Sequence, residues 1–420
     1  MPDKIQGPKG ANDVLPAESP RWQAVERAAR DVAARYNFAE IRTPVFEHTE
    51  LFHRGMGETT DVVTKETYTF EDRGGRSITL RPEGTAGVVR SVIEHNLAND
   101  PGSVVKVFYI GPNFRYERPQ SGRLRIHHQF GVEAFGVPNP EMDVECILLQ
   151  RDFYDAVGLK DVSLDVNSLG DADTKAQYRN ALRDFLLPSR DALSEDSQRR
   201  LETNPLRILD SKDPRDREAC IGAPTPDQVL SGRSRDHFAR VQQLLNEAGV
   251  PFVVNPKLVR GLDYYTETLW EFVAAGLGAQ SAVGGGGRYD TLVESLGGRP
   301  TPGVGFGSGL ERLLLALEAQ KVEPKLVRPP LVWLAAQNDA AREACLKLMR
   351  QLRSAGLAAD MDLTGRGMKA QFKLADRHGA AHCIVIGDEE LAANDVTLKD
   401  LTTGEQRRVP RDEIVTLLLS

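Results

Sequence analysis

A chain of 420 residues is too long for one average core, so two or three domains are expected. Hydrophobic content of 40%, charged content of 27% and a net charge of −7 are ordinary soluble values, and whole-chain charge neither advertises nor excludes a nucleic-acid partner. No apolar run approaches the ~20 residues of a membrane span, and the polar start MPDKIQGPKG does not read as a signal peptide. The four cysteines (Cys146, Cys220, Cys345, Cys383) lie apart with no C-x-x-C pair, and the eight histidines form no H-E-x-x-H cluster. The expectations are a cytoplasmic protein with no membrane contact, no disulfide framework and no protein metal site.

Residues 1–18 are Gly/Pro-rich and irregular. Ser19-Pro20 then reads as a helix start, with Ser as N-cap, and Trp22, Val25, Ala29, Val32, Ala33 and Tyr36 recur at helical spacing. In AEIRTPVFEHTELFHRG, Ile41, Thr43 and Val45 alternate as a strand, with Pro44 marking an edge or interface. Thr67–Leu80 reads as a hairpin turning at Gly74-Gly75, and it runs into RPEGT, where a helix opens at Thr85. Glu83-Gly84-Thr85 thus falls between a strand end and a helix start, a usual place for a substrate site.

Gly111–Gly136 reads as two antiparallel strands joined by a basic loop. A period of two puts Asn113, Arg115 and Glu117 on one side, and Gln129, Gly131 and Glu133 on one face of the return strand with Phe130, Val132 and Ala134 opposite. Gly131 leaves room for close approach of a ligand. Arg118, Arg123 and Arg125 in the loop suit phosphate, which guanidinium binds through two parallel hydrogen bonds. Spacing alone fits an ordinary hairpin with a solvated polar face just as well.

A helix follows at 141–158, then a strand through Val162, Leu164 and Val166. Residues 171–251 are rich in Arg, Asp and Glu, with helical stretches and little strand pattern, and read as a helical insertion. Strand character returns around Arg260–Tyr265, in AVGGGGRYD and in TPGVGFGSGLERLLLALEAQ, where a Gly-rich strand feeds a helix carrying Glu311 and Arg312. That junction contains neither G-x-G-x-x-G nor G-x-x-x-x-G-K-[ST]. The Pro-rich, charged KVEPKLVRPP marks a domain boundary. Beyond it LVWLAA, LAADMD, HCIVIGD and VTLKDL read as short strands, with helices at about 340–354, 367–378 and 411–419. On the second of these helices Arg366, Lys369, Lys373 and Arg377 form a basic stripe, which fits either a solvated face or an RNA contact.

Several of these strings carry a resemblance. Phe114-Arg115-x-Glu117 with its basic loop and the Gln129-x-x-x-Glu133 return strand resembles motif 2 of class II aminoacyl-tRNA synthetases. The stretch around Pro44 resembles their motif 1, used for dimerisation, and 301–320 resembles motif 3. RPEGT (Arg81–Thr85) and above all LVRGLDYYT (Leu258–Thr266) resemble histidyl-tRNA synthetases in particular, and the similarity spans nearly the whole chain.

The resemblance implies a mixed α/β (α+β) fold: an antiparallel-sheet catalytic domain at 1–325 with the insertion at about 171–251, a linker at 326–330, and an α/β anticodon-binding domain at 331–420. It implies activation of L-histidine with ATP to an adenylate plus pyrophosphate, then transfer to the 3′-terminal adenosine of a histidine-accepting tRNA, in a homodimer. Mg2+ would accompany the ATP phosphates. Arg260 and Arg115 would be catalytic, holding charge at the α-phosphate. Histidine would be bound by Glu83, Gly84, Thr85, Arg115, Gln129, Glu133, Arg260, Tyr264 and Tyr265. Glu133 and Tyr264 would take the two ring nitrogens, and Gly84 would allow close backbone approach. ATP would meet Arg115, Glu117 and Arg312, with the motif 3 glycines letting it lie against the backbone, and tRNA would meet Arg366, Lys369, Lys373 and Arg377. One departure stands out: His127 occupies a position where the family commonly has a Phe stacked on adenine, whereas His128 should face the core. Two alternatives remain at this level, a non-aminoacylating paralogue serving as a regulatory subunit in histidine biosynthesis and a non-catalytic RNA-binding protein. Such paralogues typically lack the C-terminal domain and degrade the LVRGLDYYT string, and both are intact here.

Overall fold

The hairpin expected at 111–136 lies inside an eight-stranded sheet. In the computed structural model, which describes residues 4–57, 60, 62–98, 102–277, 281–324 and 329–419, its spatial order is Ala39–Glu40, Val105–Phe114, Ile126–Phe135, Gly303–Gly309, Ala282–Arg288, Thr266–Ala274, Val162–Ser168 and Val253–Val254. The six inner strands are antiparallel and the two short outer ones pair in parallel.

The hairpin alternation decides which face is which. Phe130, Val132 and Ala134 are buried against Ile147 and Phe153 of helix Pro140–Val157 and Leu313 and Leu317 of helix Leu310–Ala319. Each large side chain so buried contributes about 1.5–3 kcal/mol relative to exposure. A one-residue slip in register would turn Phe130 outward and Glu133 into that core, so the apolar set pins the polar set to the opposite face. Helix Ser19–Arg35 adds Val25, Ala29, Val32 and Ala33 to the same core. It starts one residue earlier than expected: Ser19 is already helical, and Glu18 stands at the cap position without a side-chain bond.

The strand expected through Ile41, Thr43 and Val45 is interrupted. Ala39–Glu40 joins the large sheet, Phe46–His48 joins a three-stranded sheet with Tyr68–Glu71 and Ser77–Leu80, and 41–45 lies between them without strand structure. Pro44, having no N–H, cannot continue a ladder. The neighbouring backbone finds single partners instead, Ile41 N donating to Phe108 O at 2.8 Å and Val45 O accepting from Arg81 N at 2.9 Å.

The insertion is helical, as its composition suggested. Helices Ala172–Leu186, Glu195–Thr203, Pro214–Ala219 and Gly232–Glu247 each open on a side-chain cap: Asp171, Ser194, Asp213 and Ser231 accept from a backbone N–H two or three residues on. Such caps contribute about 1 kcal/mol each, which suits a segment with modest apolar content. At its centre the buried Asp216 accepts from the hydroxyls of Ser194, Ser197 and Ser211 and from the Ser194 N–H.

Chain contacts divide the protein into two units, Met1–Leu326 and Val327–Ser420. Residues 326–328 of the expected linker lie outside the described residues. The second unit is a five-stranded sheet in the order Ala358–Met361, Leu331–Ala336, His382–Ile386, Asp395–Asp400, Gln406–Pro410, parallel across the first three strands and antiparallel beyond. Helices Asp339–Ser354, Met368–Arg377, Asp388–Ala393 and Ile414–Leu419 accompany it. The strand Gln406–Pro410 and the helix Asp388–Ala393 add to the elements expected from sequence. Of the basic stripe, Lys369, Lys373 and Arg377 lie exposed on the helix. Arg366 does not belong to it, because Gly367 occupies the N-cap and Arg366 is in the preceding loop, its N–H donating to Asp362 Oδ2.

Candidate active site

On the sheet face opposite the helices lies a cavity of about 460 Å3, lined from motif 2, the glycine strands, the 258–266 loop and the insertion. Of the site residues expected from sequence, Glu83, Thr85, Arg115, Glu117, Gln129, Arg260, Tyr264, Tyr265 and Arg312 line it, and Glu133 reaches its floor through Thr85 and Tyr289. The four basic residues 366–377 belong to the other unit.

The RPEGT turn is held from two sides. The buried Arg81 donates from Nε to Pro112 O at 2.8 Å, and Arg115 donates from Nε to Pro82 O at 2.9 Å. Glu83, 3% exposed, accepts from the N–H groups of Thr85 and Ala86 at 2.7 and 2.8 Å, so it caps helix Thr85–Glu94 where the dipole favours negative charge. Burial nevertheless raises its carboxyl above the ordinary range.

Glu133 is the most heavily engaged carboxylate of the floor, at 1% exposure. It accepts from Thr85 Oγ1 at 2.7 Å, from the Tyr289 hydroxyl, and more weakly from the Tyr109 hydroxyl at 3.4 Å. Burial, with the Glu83 charge nearby, pushes it up to about 8 in spite of these hydroxyls. The rings of Tyr264, Tyr265 and Tyr289 pack together beside it, with centroids 4.7 Å apart for Tyr264–Tyr265 and 5.6 Å for Tyr264–Tyr289. Gln129 is oriented by Asn113, whose amide donates to its Oε1 at 2.6 Å.

Tyr109 and Tyr289 are site residues that the sequence reading missed. The signal for Tyr109 was the same period of two: its strand partner is Gly131, so it stands on the face of Gln129 and Glu133. This corrects the reading of two glycines. A Cβ on Gly131 would meet Tyr109 Cζ at 2.4 Å, and one on Gly84 would meet the same ring at 2.3 Å. The space above both is therefore filled by the protein's own phenol and not kept for a ligand. The motif 3 glycines divide likewise. A Cβ on Gly305 would lie 2.1 Å from Glu133 Oε2, whereas Gly309 meets nothing within 4 Å.

The positive groups ring the opposite part of the cavity. Arg260 pairs with Glu271, and Gly285 leaves room for it, since a Cβ there would lie 2.9 Å from its guanidinium. Arg312 donates to Gly122 O in the motif 2 loop at 3.0 Å and to Ala282 O at 3.1 Å. Of the loop arginines, Arg123 pairs with Glu117 at 3.3 Å and Arg125 lies over the Tyr116 ring. His127 lines the cavity, and burial, reinforced by Arg115, His128 and Arg312, lowers it to about 3, so it is a neutral ring at pH 7. His128 turns to the helix side, where it contacts Glu311 at 3.0 Å and the edge of Trp22. Among the described residues, no group of three or more His, Cys, Asp or Glu side chains is placed to hold a metal ion.

The arrangement offers a buried acceptor amid phenols at one end and fixed guanidinium charge with open glycine backbone at the other. It can bind a small polar molecule deep and a phosphorylated one across it.

Comparison with known proteins gives a consistent picture. Residues 10–313 match the family model described as histidyl-tRNA synthetase, and 331–420 match an anticodon binding domain. A histidine–tRNA ligase of Geobacillus thermodenitrificans is 49% identical over 417 residues, 99% of this chain and 98% of its own length. Another, of Thermosynechococcus vestitus, is 50% identical over 412 residues, 98% of this chain and 96% of its own. The crystal structure of the apo S. aureus histidyl-tRNA synthetase superposes with a TM-score of 0.84 at 38% identity, covering 99% of this chain and 100% of that one.

Proposed function

The chain belongs to the histidyl-tRNA synthetase family, and from that membership we infer that it is an ATP-dependent ligase joining histidine to tRNA. The observation that carries the reading is Glu133, buried directly behind Thr85, Tyr109 and Tyr289, which line one cavity together with Tyr264, Arg115 and Arg260. A neutral imidazole presents one N–H and one bare nitrogen and needs an acceptor and a donor. Glu133 supplies the first and the Tyr264 hydroxyl the second, with Tyr265 closing the pocket. Glu83, Thr85 and Gln129 face the α-ammonium group.

In the first step a histidine carboxylate oxygen attacks the α-phosphorus of ATP, and the bond to the bridging oxygen breaks to release pyrophosphate. Anion meets anion, so the protein's task is fixed positive charge at the α-phosphate, from Arg115 and Arg260. Arg312 lies toward the rest of the nucleotide with Glu117, the neutral His127 offers its ring face to adenine, and Gly309 leaves backbone open beneath. Mg2+ arrives with the triphosphate as part of the substrate. In the second step the 3′-terminal hydroxyl of tRNA takes the histidyl group and AMP leaves. No covalent enzyme intermediate is needed, since positioning and charge carry the chemistry.

Lys369, Lys373 and Arg377, with Arg366 beside the helix, offer a basic surface on the unit that matches an anticodon binding domain. Exposed Val45, Phe46 and Phe70 around the three-stranded sheet support a homodimer through that edge. No helix among the described residues is long and apolar enough to cross a membrane, which fits work in the cytoplasm. Histidine-dependent exchange of pyrophosphate into ATP, followed by charging of histidine-accepting tRNA, tests the proposal. A protein without exchange would fall to the regulatory-subunit reading, which the C-terminal match and the intact LVRGLDYYT string speak against.

A further inference from the structure

Tyr264 and Tyr265 sit on a loop gripped by the helical insertion. Lys175, on helix Ala172–Leu186, directs its ammonium to the carbonyls of Asp263 and Tyr265, one on each side of Tyr264. The Tyr265 contact is 2.9 Å. From the end of another insertion helix, Asn204 donates from Nδ2 to Asp263 Oδ1 at 2.5 Å. Two residues past the tyrosines the chain bulges at Glu267, whose φ of +46° is costly for a non-glycine residue. The Glu267 carboxylate turns to the insertion as well, accepting from Ser234 Oγ at 2.9 Å and from Arg233 at 3.2 Å. The backbone on both sides of the two rings is thus tied to the insertion while the rings line the cavity.

We propose that Lys175, assisted by Asn204, is a positioning residue for amino-acid recognition, fixing the backbone that aims Tyr264 and Tyr265, so that docking of the insertion sets the affinity for histidine. An ammonium has three donors and no acceptor, so two of them can lock a pair of carbonyls at a set separation. A hydrogen-bonding pocket loses its grip when its groups drift by about 0.5 Å, and a phenol on an untethered loop drifts by more. Burial, only partly offset by Asp263, lowers Lys175 to about 8, so the charged form prevails at pH 7. Nothing in the bond-making step touches Lys175. Its effect passes through the loop that ends in the two tyrosines, whereas Arg115 and Arg312 at the nucleotide end are held by other contacts, to Pro82 O and Gly122 O.

The inference rests on the reading of the cavity as a histidine site, and the test separates the two. In pyrophosphate exchange with the full-length protein, Lys175→Met is expected to raise the KM for histidine roughly tenfold or more, the loss of charge-assisted hydrogen bonds, while the KM for ATP stays within about twofold. Thermal unfolding checks that the variant is folded. A folded variant with an unchanged histidine KM overturns the proposal. So does one in which both KM values rise together or only kcat falls, because that is what general loosening would produce. Should Lys175→Met fail to fold, the same split is read in Asn204→Ala, and its absence there overturns the proposal equally. Wild-type protein without histidine-dependent exchange would instead remove the functional reading beneath it.

Discussion

Thr85 Oγ1 donates to Glu133 Oε1 at 2.7 Å, joining the first turn of helix Thr85–Glu94 to the return strand of the motif 2 hairpin. The same helix start is capped by Glu83, so two carboxylates share one short stretch of chain inside a buried site. One is satisfied by backbone N–H groups and the other by hydroxyls. The hydroxyl-bound one is the better placed to trade a partner for a ligand.

Glu133 gives a pH dependence with a definite sign. Its raised value of about 8 means that the ligand-free protein holds a proton there at pH 7 and releases it as pH rises. An imidazole N–H is bound most strongly by the ionised form, through a charge-assisted hydrogen bond, and free imidazole is mostly neutral by pH 7. The KM for histidine in pyrophosphate exchange should therefore fall between pH 7 and 8, by up to about tenfold per unit, and level off above. In Glu133→Gln, histidine activation should drop steeply and this slope disappear. A raised carboxyl also adds stability at low pH that is lost as pH climbs toward 8.

Arg260→Ala should fold and lose adenylate formation. Removing one preorganised charge from a reacting centre costs roughly 10²–10³ in rate. Exchange within a few-fold of wild type would place the α-phosphate elsewhere.

Gly131→Ala tests the account of Tyr109. The ring lies against Gly131 and Gly84 alike, so a methyl on one drives it toward the other. Overpacking of this kind costs about 1–3 kcal/mol, visible in thermal unfolding. The displaced phenol should also weaken histidine binding, as a higher KM with little change for ATP.

Deleting the chain from Leu331 onward should spare histidine-dependent exchange at high enzyme concentration and abolish transfer to tRNA. Every proposed ligand of histidine and ATP precedes that point. A truncated protein that charges tRNA normally would refute the anticodon-domain assignment.

Much of this was legible because the strongest signals were short and periodic. Alternation separated Phe130, Val132 and Ala134 from Gln129 and Glu133, and the glycine strings marked strands that meet the cavity. What escaped depended on pairing between distant segments. Tyr109 became a site residue only once register set it opposite Gly131, and Tyr289 only once its strand brought it to Glu133. Arg366 matched the helical spacing, yet the glycine after it took the cap. Pro44 signalled that no ladder could continue through it, but not that the strand expected at 41–45 would be absent and the chain would leave one sheet for another there.

The glycines of 284–287 and 303–309 have a consequence for redesign. A sheet normally presents a floor on which side chains stand, and a pocket is walled above it by loops. Here the floor itself is lowered, with Glu133 beside Gly305, Arg260 beside Gly285 and the Tyr289 ring beside Gly303, each in the volume a Cβ would take. Depth gained by omitting atoms cannot be increased by substitution, because hydrogen is the smallest side chain available. Any side chain added at Gly285, Gly303 or Gly305 makes the site shallower. A variant meant to admit a bulkier amino acid must therefore be carved from the side chains that wall the site, at Tyr264 or Tyr265, where there is still matter to remove.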